Sequence, residues 1–146
     1  MTVLLDDEGI LNQVSVLMDV IKARLRAEMD REALGLAPME ARTLAYLQRH
    51  PGCSQADFAG YTRRDKAQVA RLVKPLIERG LVASLPDTAD RRINRLWLTE
   101  DGAALQRRAA RHRASLAHQM LAGLTLAERA EAARLLERLA ENLRNG

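Results

Sequence analysis

Cysteine, aromatic residues and long apolar runs are all scarce in this chain of 146 residues. Its one cysteine, Cys53, excludes an intramolecular disulfide and favours a reducing compartment. No apolar run approaches the roughly 18 residues that a membrane-spanning helix needs. The first ten residues, MTVLLDDEGI, carry acids where a secretory signal peptide has basic residues. We therefore expect a cytoplasmic globular protein that does not associate with a membrane.

The sequence motifs of common enzymes are also missing. There is no P-loop, no glycine-rich dinucleotide-binding turn and no nucleophile elbow. The histidines, His50, His112 and His118, are scattered and do not combine with Cys53 into a convincing zinc site. Aromatic residues make up 3% of the chain and give no signature of a bound small molecule. We therefore expect neither enzymatic activity nor a cofactor.

The positive charge is concentrated in the middle of the chain. The whole sequence has 23 Lys or Arg and 19 Asp or Glu, for a net charge of +4. Residues 1–60 hold 6 basic and 9 acidic residues, whereas residues 61–99 hold 9 basic and 4 acidic residues. Residues 100–146 are nearly balanced, with 8 and 6. A basic middle segment indicates a site for a polyanion such as nucleic acid, although a solvated charged surface has the same composition.

Apolar residues at helical spacing predict two helices before the basic segment. The first runs from Ile10 to about Met29, and Gly35 is expected to end it. Pro38 is expected to open the second helix, which the Pro51-Gly52 pair terminates. The first helix is long and amphipathic, which is typical of a helix that packs against another subunit or domain.

Two closely spaced helix starts follow. Ser54 and Thr62 each have an aspartate three residues on, the spacing of a reciprocal N-terminal cap. We therefore predict a short helix over Ser54–Gly60, a tight turn at residues 60–62, and a longer helix from Arg63 to Gly80. A short helix, a turn containing glycine and a longer helix form the helix-turn-helix pattern.

Strand-like patterning begins after Gly80. Residues 81–85 and 93–98 are short apolar or alternating segments, and the polar residues between them predict a two-stranded hairpin with a charged tip. Thr99 is expected to cap the next helix, and Thr125 the last one.

The predicted fold class is therefore mainly α with a small β-wing. A winged helix-turn-helix region is expected over residues 38–99, and a helical dimerisation region over residues 1–34 and 100–146. The terminal helices carry more apolar surface than a small winged helix can cover, so we expect a symmetric homodimer. Its two long helices after the turn would address half-sites about one turn of DNA apart.

The predicted helix over Arg63–Arg79 has two chemically distinct faces. At 100° per residue, one side collects the apolar residues Val69, Leu72, Val73 and Leu76. The opposite side collects Arg64, Gln68, Arg71 and Lys74. Guanidinium, amide and ammonium groups are those that contact base edges and phosphates, so this face is expected to lie in the major groove of double-stranded DNA. Lys66 lies nearer the apolar edge and is expected to reach a phosphate.

The hairpin tip, PDTADRRINR, is expected to enter the minor groove. An arginine on a narrow β-loop suits the negative potential of that groove. Asp90 can hold one neighbouring guanidinium in a fixed position while another projects. Alone, this tip would be read as an exposed turn, but directly after a helix-turn-helix it forms a wing.

The run from PGCSQADFA through RRDKAQVARLVKPLIERGLV to PDTADRRINRLWLTEDG resembles the MarR (multiple-antibiotic-resistance regulator) family of transcriptional regulators. The most specific part is Asp-Arg-Arg at residues 90–92, followed by Leu-Thr-Glu-Asp-Gly at residues 98–102. The resemblance implies a homodimeric regulator, expected to be a repressor that a small aromatic or anionic effector releases from DNA. It also implies that Arg71 contacts bases, that Arg92 enters the minor groove, and that Asp65 and Asp90 orient them. The complete predicted DNA-binding set is Arg63, Arg64, Lys66, Gln68, Arg71, Lys74, Arg91, Arg92 and Arg95.

Some features have a second interpretation. The winged helix can also serve as a protein-interaction module that binds no specific DNA site. Cys53, before a helix start, is either a redox sensor or, as we expect, a buried structural residue. His112 is expected to be a hydrogen-bonded core or interface residue. Trp97 either lines an effector cleft or, as we favour, packs on a neighbouring helix.

Overall fold

The computed structural model describes residues 5–146, which form six helices and a three-stranded antiparallel sheet. The helices are α1 (Asp7–Arg31), α2 (Pro38–Arg49), α3 (Gln55–Thr62), α4 (Lys66–Glu78), α5 (Glu100–Met120) and α6 (Leu126–Arg144). The strands are β1 (Cys53–Ser54), β2 (Val82–Pro86) and β3 (Asn94–Leu98). This architecture confirms the predicted mainly-α fold class with a β-wing. Within residues 5–146, no helix is long and apolar enough to cross a membrane.

The chain divides into two compact units, one ending at Arg113 and the other beginning at Ala114. Helices α1 to α4, the sheet and most of α5 belong to the first unit, and α6 belongs to the second. The predicted division into a winged helix and a dimerisation region stays a prediction. Residues 1–4 of the predicted dimerisation region lie outside the described residues.

Helix α1 ends earlier than predicted. The helix stops at Arg31, and Ala33 takes the left-handed conformation, with φ 51°. The amide of Leu34 donates to the carbonyl of Met29 at 3.0 Å, and both of these side chains are buried. This is the usual glycine-type helix stop, built here on alanine. The prediction that Gly35 ends the helix is wrong because Ala33 has already reversed the chain.

The turn between α3 and α4 lies three residues later than predicted. The cap at Ser54 is confirmed, since its Oγ accepts from the amide of Asp57 at 3.0 Å. Helix α3, however, continues through Gly60 to Thr62, whose hydroxyl donates to the carbonyl of Phe58 instead of capping α4. Asp65 caps α4. The predicted cap at Thr62 is wrong because a threonine hydroxyl can also bond to a carbonyl inside a helix, so its spacing to Asp65 did not by itself define a cap.

A third strand joins the predicted hairpin. Strand β3 is central, in the order β1-β3-β2, and β2 pairs with it from Val82↔Leu98 to Pro86↔Asn94. Strand β1 pairs at Cys53↔Leu96 and Ser54↔Arg95. Two residues are too few to show an alternating pattern, so this strand was not predicted. It fastens the start of α3 to the base of the wing.

The core of the first unit fixes the orientation of α4. Val69, Val73 and Leu76 of α4 are fully buried, together with Phe58 of α3 and Leu96 of β3. Leu72, predicted to share this face, is half-buried. Because Val69, Val73 and Leu76 all point inward, the opposite face of α4 is open to solvent. Removing one of these side chains leaves a cavity and costs about 2–5 kcal/mol.

The N-terminus of α5 is hydrogen-bonded to the C-terminal end of α4. Thr99 Oγ1 accepts from the amide of Gly102 at 3.0 Å and donates to the carbonyl of Gly80 at 2.6 Å, which confirms the predicted cap. Gly80, with φ 72°, ends α4 as predicted, and the amide of Leu81 donates to the carbonyl of Leu76. The start and the end of the wing are therefore both hydrogen-bonded at the C-terminal end of α4.

Helix α6 presents apolar side chains to solvent. Thr125 caps it as predicted, accepting from the amide of Glu128 at 3.1 Å. None of its residues is buried, and its exposed leucines are Leu126, Leu135, Leu136, Leu139 and Leu143.

Candidate nucleic-acid interface

The outward face of α4 carries four side chains that can donate hydrogen bonds. Lys66, Gln68, Arg71 and Lys74 are all exposed. The side-chain oxygen of Gln68 accepts from the amide of Asp65 at 3.1 Å, so its NH2 group is the part left for an external partner. Lys74 Nζ lies 3.9 Å from a carboxylate oxygen of Glu78 in a loose, exposed ion pair. This face is therefore cationic and rich in donors.

Two of the predicted arginines lie in the turn before α4 and not on the helix. Arg63 ends α3 in the left-handed conformation, with φ 54°, and Arg64 follows it. Both are exposed. The prediction that Arg64 lies on the cationic face of the helix after the turn is wrong, because α4 begins only at Lys66. The turn still adds two cations beside the first turn of α4.

Asp65 caps α4 in the unbound chain. Its Oδ1 accepts from the amide of Gln68 at 2.8 Å, which makes it the cap of α4. A carboxylate at this position also complements the positive end of the helix dipole. That Asp65 orients Arg71 stays a prediction.

Asp90 fixes the guanidinium of Arg92 at the wing tip. Its Oδ1 accepts from Nε of Arg92 and its Oδ2 from Nη2, both at 3.0 Å, and Oδ1 also accepts from the backbone amide of Arg92. These bonds lower the pKa of the Asp90 carboxyl below its ordinary value. The Arg92 side chain is 90% exposed, so it is oriented without being covered. Arg91 beside it is also exposed.

Arg95 faces inward from the base of the wing. Its Nε donates to Oδ1 of Asp87 at 2.6 Å, and its Nη1 donates to the carbonyl of Gly52 at 3.0 Å. The guanidinium lowers the pKa of the Asp87 carboxyl. Sequence reasoning placed Arg95 among the DNA contacts and missed Asp87, whose only signal is its place at the start of the turn. That Arg95 contacts DNA stays a prediction.

An aromatic cluster joins α2 to α3 and was also missed. The Tyr46 ring lies 4.5 Å from the ring of Tyr61 and 5.1 Å from that of Phe58, measured between centroids. The Arg42 guanidinium carbon lies 5.7 Å from the centroid of the Tyr61 ring, within the range of a cation–π contact. The helical spacing of Phe58 and Tyr61 was the available signal. The cluster holds the end of α3, from which the Arg63 turn departs.

Three residues that had two interpretations each take a defined place in the structure. Cys53 is buried, and burial raises the pKa of its thiol, which is the opposite of what a thiol sensor needs. His112 Nε2 lies 3.1 Å from a carboxylate oxygen of Glu32, so it joins α5 to α1 as a paired histidine. The Trp97 ring packs on Gly52 in the turn before β1, where an added Cβ would lie 2.8 Å from the ring. That Trp97 lines an effector cleft or packs on a helix stays a prediction.

A short helix, a turn, an outward cationic helix and an arginine-tipped hairpin define a winged helix-turn-helix, the fold of a large class of DNA-binding proteins. Residues 34–93 match the sequence profile of the MarR family. The chain belongs to this family of transcriptional regulators, as the resemblance indicated.

Curated and solved relatives agree with this assignment. The chain is 31% identical to the HTH-type transcriptional regulator YybA of Bacillus subtilis over 103 residues, which cover 68% of this chain and 67% of that protein. A MarR transcriptional regulator from Methanosarcina mazei Go1 superposes with a TM-score of 0.83 at 25% identity, covering 97% and 94% of the two chains. MepR of S. aureus, solved in complex with DNA, gives a TM-score of 0.82 at 18% identity, covering 95% and 99%. MarR-family proteins are regulators and not enzymes, as expected for this chain.

Proposed function

We propose that this protein is a homodimeric transcriptional repressor of the cytoplasm that reads a pseudo-palindromic operator. One observation carries the proposal: α4 is fixed by three fully buried apolar residues while its opposite face presents Lys66, Gln68, Arg71 and Lys74 to solvent. An α-helix with this face fits the major groove of B-DNA. The similar fold of MepR in its DNA complex supports the same docking.

Arg71 and Gln68 are proposed to read bases. Arg71 can donate two hydrogen bonds to O6 and N7 of guanine, the most common specific contact. Gln68 uses its oxygen in the cap of α4, so it can donate but does not offer the donor–acceptor pair that adenine requires. It therefore selects an acceptor on the base edge, such as N7 of a purine or O4 of thymine. Lys66 and Lys74, with Arg63 and Arg64, bind phosphates.

The wing is proposed to occupy the adjacent minor groove. Arg92 lies at the tip with its guanidinium already held by Asp90, so little freedom is lost when it enters the groove. A narrow A·T-rich minor groove has the most negative potential and suits this side chain best. Arg91 is proposed to contact the neighbouring phosphate.

A second copy of the chain is proposed to cover the apolar surface of the terminal helices. Helix α1 exposes Leu11 at 66% and Val16 at 52%, and helix α6 exposes Leu136 at 56% and Leu143 at 84%. Apolar side chains exposed in such number on two helices mark an interaction surface. Isologous packing of these helices gives the two-fold axis that a palindromic operator requires.

Release from the operator is proposed to follow the binding of a small aromatic or anionic effector. The effector acts only to the extent that it binds the DNA-competent and the DNA-released dimer unequally. It is sought by adding candidate aromatic acids to the protein–DNA complex and measuring the release of DNA.

Arg71→Ala tests the proposed function. Binding is measured by fluorescence anisotropy on a selected operator and on random DNA at several salt concentrations, with Arg113→Ala, an exposed arginine of α5, as the matched control. We expect Arg71→Ala to cost about 1–3 kcal/mol per half-site on the operator and much less on random DNA. Equal losses on both DNAs would remove the base-reading role. Binding to the operator that is weak and indifferent to salt would instead favour the protein-interaction module.

A further inference from the structure

We propose that Arg95 is a positioning residue of the wing, which acts on Arg92 through Asp87 and Asp90 and does not itself contact DNA. The proposal rests on the proposed function, in which Arg92 enters the minor groove. It assigns Arg95 and Asp87 a role that does not depend on contacting a base or a phosphate.

The first step is the anchoring of Arg95. It lies on the central strand β3, paired with Ser54 of β1 on one side and with Leu85 of β2 on the other. Its Nη1 donates to the carbonyl of Gly52, which is in the turn before β1. The guanidinium is therefore tied to the base of the wing, near the start of α3.

The second step is the shaping of the wing loop by Asp87. Its Oδ1 accepts from Nε of Arg95, and its Oδ2 accepts from the backbone amides of Ala89 at 3.1 Å and Asp90 at 3.0 Å. The amide of Asp87 also donates to the carbonyl of Ile93 at 2.8 Å, across the base of the loop. Asp87 is thus bonded on both sides, to the sheet and to the loop.

The third step is the orientation of Arg92. Asp90, held by Asp87 through its backbone amide, holds the Arg92 guanidinium by two parallel hydrogen bonds. Bidentate pairs of this kind fix the plane of the guanidinium as well as its position. A continuous chain of charge-assisted bonds therefore runs from Arg95 at the sheet to Arg92 at the tip.

The sign of the effect of Asp87→Ala separates this role from simple electrostatics. Removing a carboxylate from a DNA-binding surface should strengthen DNA binding if only net charge mattered. If Asp87 shapes the loop, the same change frees Arg92 and weakens binding. Arg95→Leu should weaken binding under either view, so it is informative only in combination with Arg92→Ala.

The experiment is a double-mutant cycle on the full-length protein. Binding to a selected operator with an A·T-rich wing site is measured for Arg95→Leu, Asp87→Ala and Arg92→Ala, alone and combined, with Thr88→Ala as the loop control. We expect Asp87→Ala and Arg95→Leu each to weaken binding about fivefold or more, and to change it by less than about twofold when Arg92 is already alanine. Tighter binding by Asp87→Ala, or additive losses in the Arg92→Ala background, would overturn the proposal.

A second measurement needs no DNA and distinguishes failure of this proposal from failure of the proposed function. The Nε–H signal of Arg92 is followed by NMR in the free protein. We expect an ordered signal in the parent chain and in Thr88→Ala, and a motionally averaged signal in Asp87→Ala and Arg95→Leu. An ordered Arg92 in all four proteins would contradict the positioning role even if DNA binding is as proposed. If Asp87→Ala and Arg95→Leu lose the ordered Arg92 signal but the parent chain binds no specific DNA site, the positioning role would stand and the proposed function would be refuted.

Discussion

Arg63→Gly should stabilise the protein and weaken its binding to DNA. Arg63 takes φ 54°, a left-handed conformation that the Cβ of an L-residue disfavours by about 1–2 kcal/mol. Its backbone amide donates to the carbonyl of Ala59, a bond that glycine keeps. Glycine gains freedom in the unfolded chain, which offsets about 0.4–1 kcal/mol. The expected net gain in the free energy of unfolding is therefore about 0.5–1 kcal/mol.

Ala33→Gly is the matched control. Ala33 is exposed, has φ 51° and ends α1, outside the proposed DNA-binding face. We expect the same gain in stability for the same reason, without any change in DNA affinity. If Arg63, like Ala33, has no role in DNA binding, the two variants will behave alike in both assays.

Urea unfolding at one fixed protein concentration provides the assay, because the stability of the proposed dimer would depend on concentration. We expect the midpoint to rise for both variants with an unchanged slope. For Arg63→Gly alone, the slope of log affinity against log salt should fall by about 0.9 per half-site, for one lost phosphate contact. A lower unfolding midpoint for both variants would refute the argument from backbone strain, and unchanged DNA binding by Arg63→Gly would refute its role as a contact.

Two further predictions concern glycines within helices and the effect of low pH on the wing. Gly102→Ala should destabilise the protein by about 3 kcal/mol or more, because a Cβ there would lie 2.0 Å from the carbonyl oxygen of Leu81. Gly60→Ala, with nothing within 4 Å of its Cβ, should stabilise α3 by about 0.5–1 kcal/mol, and urea midpoints compare the two. Arg95 lowers the pKa of Asp87 in the folded state, so this pair stabilises the wing above about pH 5 and is lost as the pH falls below about 4. In an NMR titration, Arg95→Leu should raise the pKa of Asp87 towards its ordinary value, and an unchanged pKa would count against the pairing.

Local chemistry predicted much of the fold. The caps at Ser54, Thr99 and Thr125 and the stop at Gly80 were readable because each satisfies backbone groups within a few residues. The hairpin was readable from its alternating pattern and polar turn. The cap predicted at Thr62 was wrong because α3 continues to Thr62 and turns at Arg63, and that left-handed turn depends on how α3 packs.

The site was predictable in its composition and less so in its geometry. The cationic face of α4 follows from helical periodicity, since Val69 and Val73 must be buried. The inward direction of Arg95 does not follow from any local pattern, because its partner Gly52 lies 43 residues away along the chain and is brought close by β1. The same strand was too short to predict, so the missing strand and the unforeseen contact between Arg95 and Gly52 have one cause.

Selection of bound duplexes from a random DNA pool, carried out in parallel with the parent chain and with Arg71→Ala, tests the central claim most directly. We predict that the parent enriches a two-fold symmetric sequence with half-sites about one helical turn apart. Arg71→Ala should enrich the same sequence with one position in each half-site no longer specified. Enrichment of no sequence by the parent chain, or of an identical fully specified sequence by both proteins, would contradict the assignment of α4 as the helix that reads DNA.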